Sequence, residues 1–87
     1  MEKAFRIKNR LGLHARAASL FVQLANRFSA DISVAKNGQE VNGKSIMGIL
    51  ILAAAQGSEI TVKAVGCDAA TAVGALGELI ETGFGED

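Results

Sequence analysis

The sequence predicts an α+β fold, an open-faced sandwich with elements in the order β-α-β-β-α-β-α, and three observations carry that prediction. Phe5 to Lys8, Asp31 to Lys36 and the stretch holding Ile60, Val62 and Ala64 alternate apolar and polar residues, the period of a strand with one buried face. Between them, Ala15 to Phe28 and the segment carrying Val73, Leu76, Leu79 and Ile80 space their apolar residues three or four apart, as amphipathic helices do. Asn37-Gly38 sits where two strands must be joined tightly. Because the strands alternate, one sheet face should be polar and the other should carry the helices. A ferredoxin-like arrangement shares the βαββαβ order and stays open at this point.

Taken in order, Phe5-Arg6-Ile7-Lys8 forms the first strand, and Asn9 to Gly12 breaks it. The first helix then presents Ala17, Leu20, Phe21, Leu24 and Phe28 as one apolar stripe. The second strand places Ile32 and Val34 on one side, turns at Asn37-Gly38, and returns through Val41. After a turn at Asn42-Gly43, Ser45 caps a short helix from Ile46 to about Ala54, ended by Gly57. A fourth strand follows, and Asp68 is placed to cap the last helix, which ends near Gly83. Gly74 and Gly77 inside that helix each cost about 1 kcal/mol against alanine. Both are expected to serve close packing against the sheet.

Eighty-seven residues are read as one domain, 1–87, and 49% apolar with 21% charged residues is the composition of a folded globular chain rather than a disordered one. Nine basic and nine acidic residues balance. That gives no basic footprint for nucleic acid. One cysteine, Cys67, makes neither an internal disulfide nor a Cys-rich metal site, and it is expected as a buried or half-buried thiol. The N-terminal residues lack the apolar stretch of a signal peptide, and the longest apolar run, residues 49–55, is too short for a bilayer. A cytoplasmic protein, not inserted in a membrane, is expected.

The only histidine, His14, follows a glycine turn and immediately precedes an amphipathic helix. The first N–H groups of a helix lack intrahelical partners and lie at the positive end of its dipole, a ready site for an anion. Ala15, Arg16 and Ala17 are the residues whose backbone or side chain would meet a phosphate there; the guanidinium of Arg16 offers a planar fork of donors. Positive groups around the imidazole disfavour its cationic form, leaving a nucleophilic nitrogen, and they also favour a dianionic phosphoryl adduct. A histidine that merely packs or caps at the helix start is the plainer reading of the residue alone. No second general acid or base lies near His14 in the sequence, and there is no metal-ligand cluster. Gly43-Lys44-Ser45 lacks the spaced upstream glycine of a nucleotide loop. The chain therefore reads as a stoichiometric carrier rather than an autonomous enzyme, with no cofactor and no metal.

Ser45, as a helix cap, is also a position where a phosphate would be tolerated while adding about −1.5 to −2 charges to the surface. Ile46 and Met47 open that helix as a bulky apolar pair, either core residues or an adaptable docking patch.

Gly12-Leu13-His14-Ala15-Arg16 and Asn42-Gly43-Lys44-Ser45-Ile46-Met47-Gly48, about thirty residues apart, resemble the two signatures of the histidine-containing phosphocarrier (HPr) family of the bacterial phosphoenolpyruvate-dependent phosphotransferase system. The resemblance covers essentially the whole chain. It implies four antiparallel strands with three helices on one face. It further implies that Enzyme I phosphorylates Nδ1 of His14, that IIA-type proteins accept the group for sugar uptake or regulation, and that Arg16 contacts the phosphate. Ser45 matches the serine that a kinase/phosphorylase modifies in many members, and Ile46 and Met47 match the partner-docking patch. A monomer making small, transient contacts is expected.

Two departures stand out. Ala17 replaces a proline common in the family, which frees one more N–H at the helix start. Gln23 and Asn26, beside Arg27, replace lysines that face Enzyme I in many members, so the docking face is less basic. Two other classes of function are open to such a sequence: a binding module regulated only through Ser45, with His14 vestigial, and a ferredoxin-like domain that binds a ligand or partner.

Overall fold

The structure, a computed structural model, describes residues 1–86. Its elements are β1 (Glu2–Arg6), α1 (Ala15–Ala25), β2 (Asp31–Lys36), β3 (Gln39–Asn42), α2 (Ile46–Ile51), β4 (Glu59–Val65), α3 (Ala69–Glu81) and a 3-10 turn, Gly83–Gly85. The four strands form one antiparallel sheet in the order β1-β4-β2-β3. β4 therefore inserts between β1 and β2, and the β2–β3 hairpin lies at one edge. That order makes the molecule the open-faced sandwich and sets the ferredoxin-like alternative aside.

Alternation along the strands decides which sheet face is covered. Phe5, Ile32, Val34, Ile60, Val62 and Ala64 are buried beneath the helices, while Arg6, Thr61 and Lys63 stand on the other face, exposed or half-buried. The β2–β3 turn has Asn37 at φ 50° and Gly38 at φ 83°, both left-handed, as a two-residue hairpin turn requires.

Several boundaries differ from the expectation. β1 begins three residues earlier and ends two residues earlier, because its ladder starts at the Glu2–Lys63 pair. Ile7 nonetheless stays buried, exchanging hydrogen bonds of 2.9 Å with Ser58 O and Gly57 N–H. α1 stops at Ala25 rather than Phe28, and its buried face is Ala17, Ala18, Phe21, Val22 and Ala25, with Leu20 and Leu24 only half-buried. Its inward face is thus rich in alanine, which allows close approach, and the leucines sit at its margin. α2 ends at Ile51, because Ala53 takes a left-handed φ of 49° and the Lys36 ammonium donates to the Leu52 carbonyl at 3.2 Å.

The two α3 glycines do different things. A Cβ on Gly77 would lie 2.4 Å from the Phe5 ring, so the missing side chain is what lets α3 rest on β1. Gly74 has nothing within 4 Å of the same position, which corrects the expectation that both serve packing. Asp68 stands at the N-cap position of α3 as expected, but its carboxylate makes no cap bond there and instead accepts from the backbone N–H groups of Ser29 and Ala30, each at 2.8 Å. Those bonds, the Ser29 one foremost, hold the Asp68 carboxyl below the ordinary aspartate range against the opposing effect of burial; the Ala30 N–H and the Lys44 ammonium add to the lowering. Cys67, beside it, is exposed rather than buried.

Two predictions follow from this packing. Gly77→Ala should lower stability by about 1–2 kcal/mol through overpacking against Phe5, whereas Gly74→Ala should raise it by up to about 1 kcal/mol through helix propensity. Urea denaturation of both variants decides, and equal stabilisation would contradict the assigned contact. The depressed Asp68 carboxyl contributes stability that is fully present above the unfolded value of about 3.9 and is lost as pH falls through its lower folded value. The stability gap between wild type and Asp68→Asn should therefore be constant from pH 7 to 5 and shrink in stronger acid. A gap unchanged down to pH 2 would contradict this.

Candidate functional site

The Asn9–Leu13 segment folds against the loop after α2, and a glycine makes that possible. Gly12 has φ +67°, and a Cβ there would lie 2.3 Å from the Ala54 carbonyl oxygen. The next residue, Leu13, donates its N–H to the same carbonyl at 2.9 Å and buries its side chain. The chain thus arrives at α1 in a fixed direction, and His14 becomes the N-cap residue with extended backbone (φ −76°, ψ 179°).

His14 does not cap with its imidazole; its carbonyl accepts the first helical bond from Ala18 N–H at 2.8 Å. The N–H groups of Ala15, Arg16 and Ala17 therefore precede the α1 ladder and lie at its positive end. Ala15 and Arg16 are exposed, and the methyl group of Ala17 is fully buried. The imidazole itself is partly open, with 28% of the side chain accessible. Around it lies a shallow depression lined by Arg10, Leu11, His14, Arg16, Gly85 and Glu86.

Two site residues were missed by the sequence reading. Glu86 Oε2 lies 2.6 Å from His14 Nε2, across 72 positions of sequence. The sequence has no acid or base near His14, and the fold brings this one to it. Behind it, the buried Asn9 donates from Nδ2 to Glu86 Oε1 at 2.9 Å and to Gly12 O at 2.8 Å. Both partners are acceptors, so only the amide nitrogen can face them, and the Asn9 orientation is settled. The Asn9 hydrogen bond, foremost, holds the Glu86 carboxyl below the ordinary glutamate range despite partial burial, with His14 and then Arg16 adding to the effect. Arg10 adds a second arginine to the lining of the same depression.

The tail reaches His14 through an unusual backbone. Gly83, Phe84 and Gly85 are all left-handed (φ 66°, 58° and 73°), and the Phe84 ring is buried. An aromatic residue between two glycines just past a helix end is the signal by which the returning tail was readable; what it would carry back was not.

The second region is separate in the sequence but neighbouring in the fold, since α1 packs on α2. Ser45 caps α2 as expected, its Oγ accepting from Gly48 N–H at 3.1 Å. Ile46 and Met47 are 43% and 68% exposed, which decides against core packing; Leu11 and Ile51 are also exposed. On α1, Gln23 and Arg27 are exposed and Gln23 bonds Ser19 Oγ. Among the described residues no group of His, Cys, Asp or Glu could hold a metal ion, and no helix is long and apolar enough to cross a membrane.

The chain is similar to known proteins along nearly its whole length. The family model described as PTS HPr component phosphorylation site matches residues 1–82. The phosphocarrier protein HPr of Neisseria meningitidis serogroup A is 48% identical over 86 residues, covering 99% of this chain and 97% of that protein. Among solved structures, HPr-C-His of Thermoanaerobacter tengcongensis is 49% identical, covers 100% of this chain and 98% of its own, and superposes with a TM-score of 0.96. A dimer of HPr from the same organism is 51% identical, covers 94% of each chain and gives a TM-score of 0.80.

Proposed function

Because the chain belongs to the HPr phosphocarrier family of the phosphotransferase system, we propose that it carries a phosphoryl group on Nδ1 of His14, from phospho-Enzyme I to IIA-type proteins in the cytoplasm. The observation that carries this reading is the position of a partly open imidazole at the N-cap of α1, in one depression with the Arg16 guanidinium. In the proposed transfer the lone pair of Nδ1 attacks phosphorus, an N–P bond forms, and the bond from phosphorus to its donor atom breaks with its electron pair. The N–H groups of Ala15, Arg16 and Ala17 then face the phosphoryl oxygens, and Arg16 supplies a fork of charge-assisted donors.

These groups favour the adduct without trapping it. An exposed helix end contributes about 0.3–1 kcal/mol toward an anion, which suits a group that must be handed on. We take the chain to act as a single copy, with the partners bringing the remaining catalytic groups. Ile46 and Met47, exposed next to Ser45, form the surface we assign to docking of Enzyme I and the acceptors. A kinase that phosphorylates Ser45 Oγ would place about −1.5 to −2 charges beside that apolar surface. Docking of a partner onto it would then weaken while α2 stays capped.

Incubation with phosphoenolpyruvate and purified Enzyme I tests the proposal. Intact mass should show one acid-labile phosphoryl group, absent in His14→Ala. Arg16→Lys should slow labelling about tenfold, since a point charge does not reproduce the fork. Undiminished labelling of folded His14→Ala would overturn the assignment.

A further inference from the structure

Asn9 is an unusual residue for a small core: it is 1% exposed, and its Oδ1 has no hydrogen-bond partner among the described residues. A buried orphan acceptor is unfavourable for folding. What the same amide provides is two donated bonds, and one of them holds the carboxylate that touches His14. We propose, on the basis of the carrier reading above, that Glu86 is a positioning residue for phosphoryl transfer, and that Asn9 acts through it.

The chemistry follows from which imidazole nitrogen has the proton. A carboxylate 2.6 Å from Nε2 accepts a hydrogen bond, so the proton resides on Nε2 and the lone pair on Nδ1. Nδ1 is thereby the nucleophile before any phosphoryl donor arrives. When Nδ1 bonds to phosphorus the Nε2 proton stays in place, and the ring gains a formal positive charge. That charge develops against the Glu86 carboxylate, which offsets it. On transfer to the acceptor the N–P bond breaks, its electron pair returns to Nδ1, and the ring is neutral again. One contact thus assists both directions, and it acts on the ring rather than on the phosphate.

The tail is built to deliver this group. Phe84, buried in a left-handed conformation between Gly83 and Gly85, fixes where Glu86 emerges. Asn9 selects one carboxylate oxygen and leaves the other for the imidazole.

Nitrogen-15 NMR of His14 and stopped-flow phosphorylation by phospho-Enzyme I, on wild type, Glu86→Gln and Asn9→Ala, test the assignment. In wild type the Nε2–H tautomer should dominate near pH 8. Glu86→Gln should give a mixture of tautomers and slow phosphorylation about tenfold, the low end of what losing an imidazole-orienting partner costs in other sites. The KM for phospho-Enzyme I should not change, because Glu86 is not assigned to docking. Asn9→Ala should move both readouts in the same direction and less far. If wild type is labelled on His14 while folded Glu86→Gln keeps its tautomer and its rate, this assignment fails and the carrier reading stands. If wild type takes no label from an active Enzyme I, the carrier reading fails with it.

Discussion

The 2.6 Å hydrogen bond between His14 Nε2 and Glu86 Oε2 joins parts of the chain that no secondary-structure element connects. It needs the Asn9–Leu13 segment to lie on the Ala54 carbonyl, which needs glycine at position 12. It needs α3 to rest on β1, which depends on Gly77 against Phe5, so that the tail leaves α3 at the His14 end of the molecule. It also needs Phe84 buried in a left-handed conformation. The sheet and its three helices are therefore a frame that sets two chain segments a hydrogen bond apart.

Charge at that point is mixed, and the mixture has a physical logic. The α1 N-terminus follows directly on His14, and Arg10 and Arg16 line one depression with it. The Glu86 carboxylate faces Nε2, the ring nitrogen other than the proposed nucleophile. Anionic and cationic character thus meet the two ends of the proposed adduct separately. A carboxylate on the phosphate side would repel the incoming group; on the Nε2 side it acts on the ring. Burial would push Glu86 toward its neutral form, and the bond from Asn9 does most to hold it ionised.

Much of the fold was legible because its signals are local. β2 and β4 alternate cleanly, Asn37-Gly38 announces its turn, and Ser45 caps α2 as its sequence context suggests. Boundaries were less so: β1 is positioned by its partner strand, and α2 is stopped by the left-handed Ala53, which no residue preference signals. Asp68 is the N-cap residue of α3, but its carboxylate ties the residues just before β2 to that helix, a tertiary choice between equivalent N–H donors. At the site, His14 and Arg16 were readable because they share one helix turn. Glu86 was not, because the contact spans 72 residues and a lone glutamate near a chain end has no periodicity to mark it. Asn9 read as a loop residue, and only its burial revealed that it orients a carboxylate.

The most direct measurement of the central claim is the regiochemistry of the phosphorylated protein. With nitrogen-15 histidine and a phosphoryl group supplied by Enzyme I, coupling between phosphorus and one ring nitrogen identifies the atom that bears it. Phosphorus is expected on Nδ1 of His14, with Nε2 still protonated and hydrogen-bonded to Glu86. Phosphorus on Nε2 would mean that the Glu86 contact is abandoned on phosphorylation, and it would contradict the account at its base.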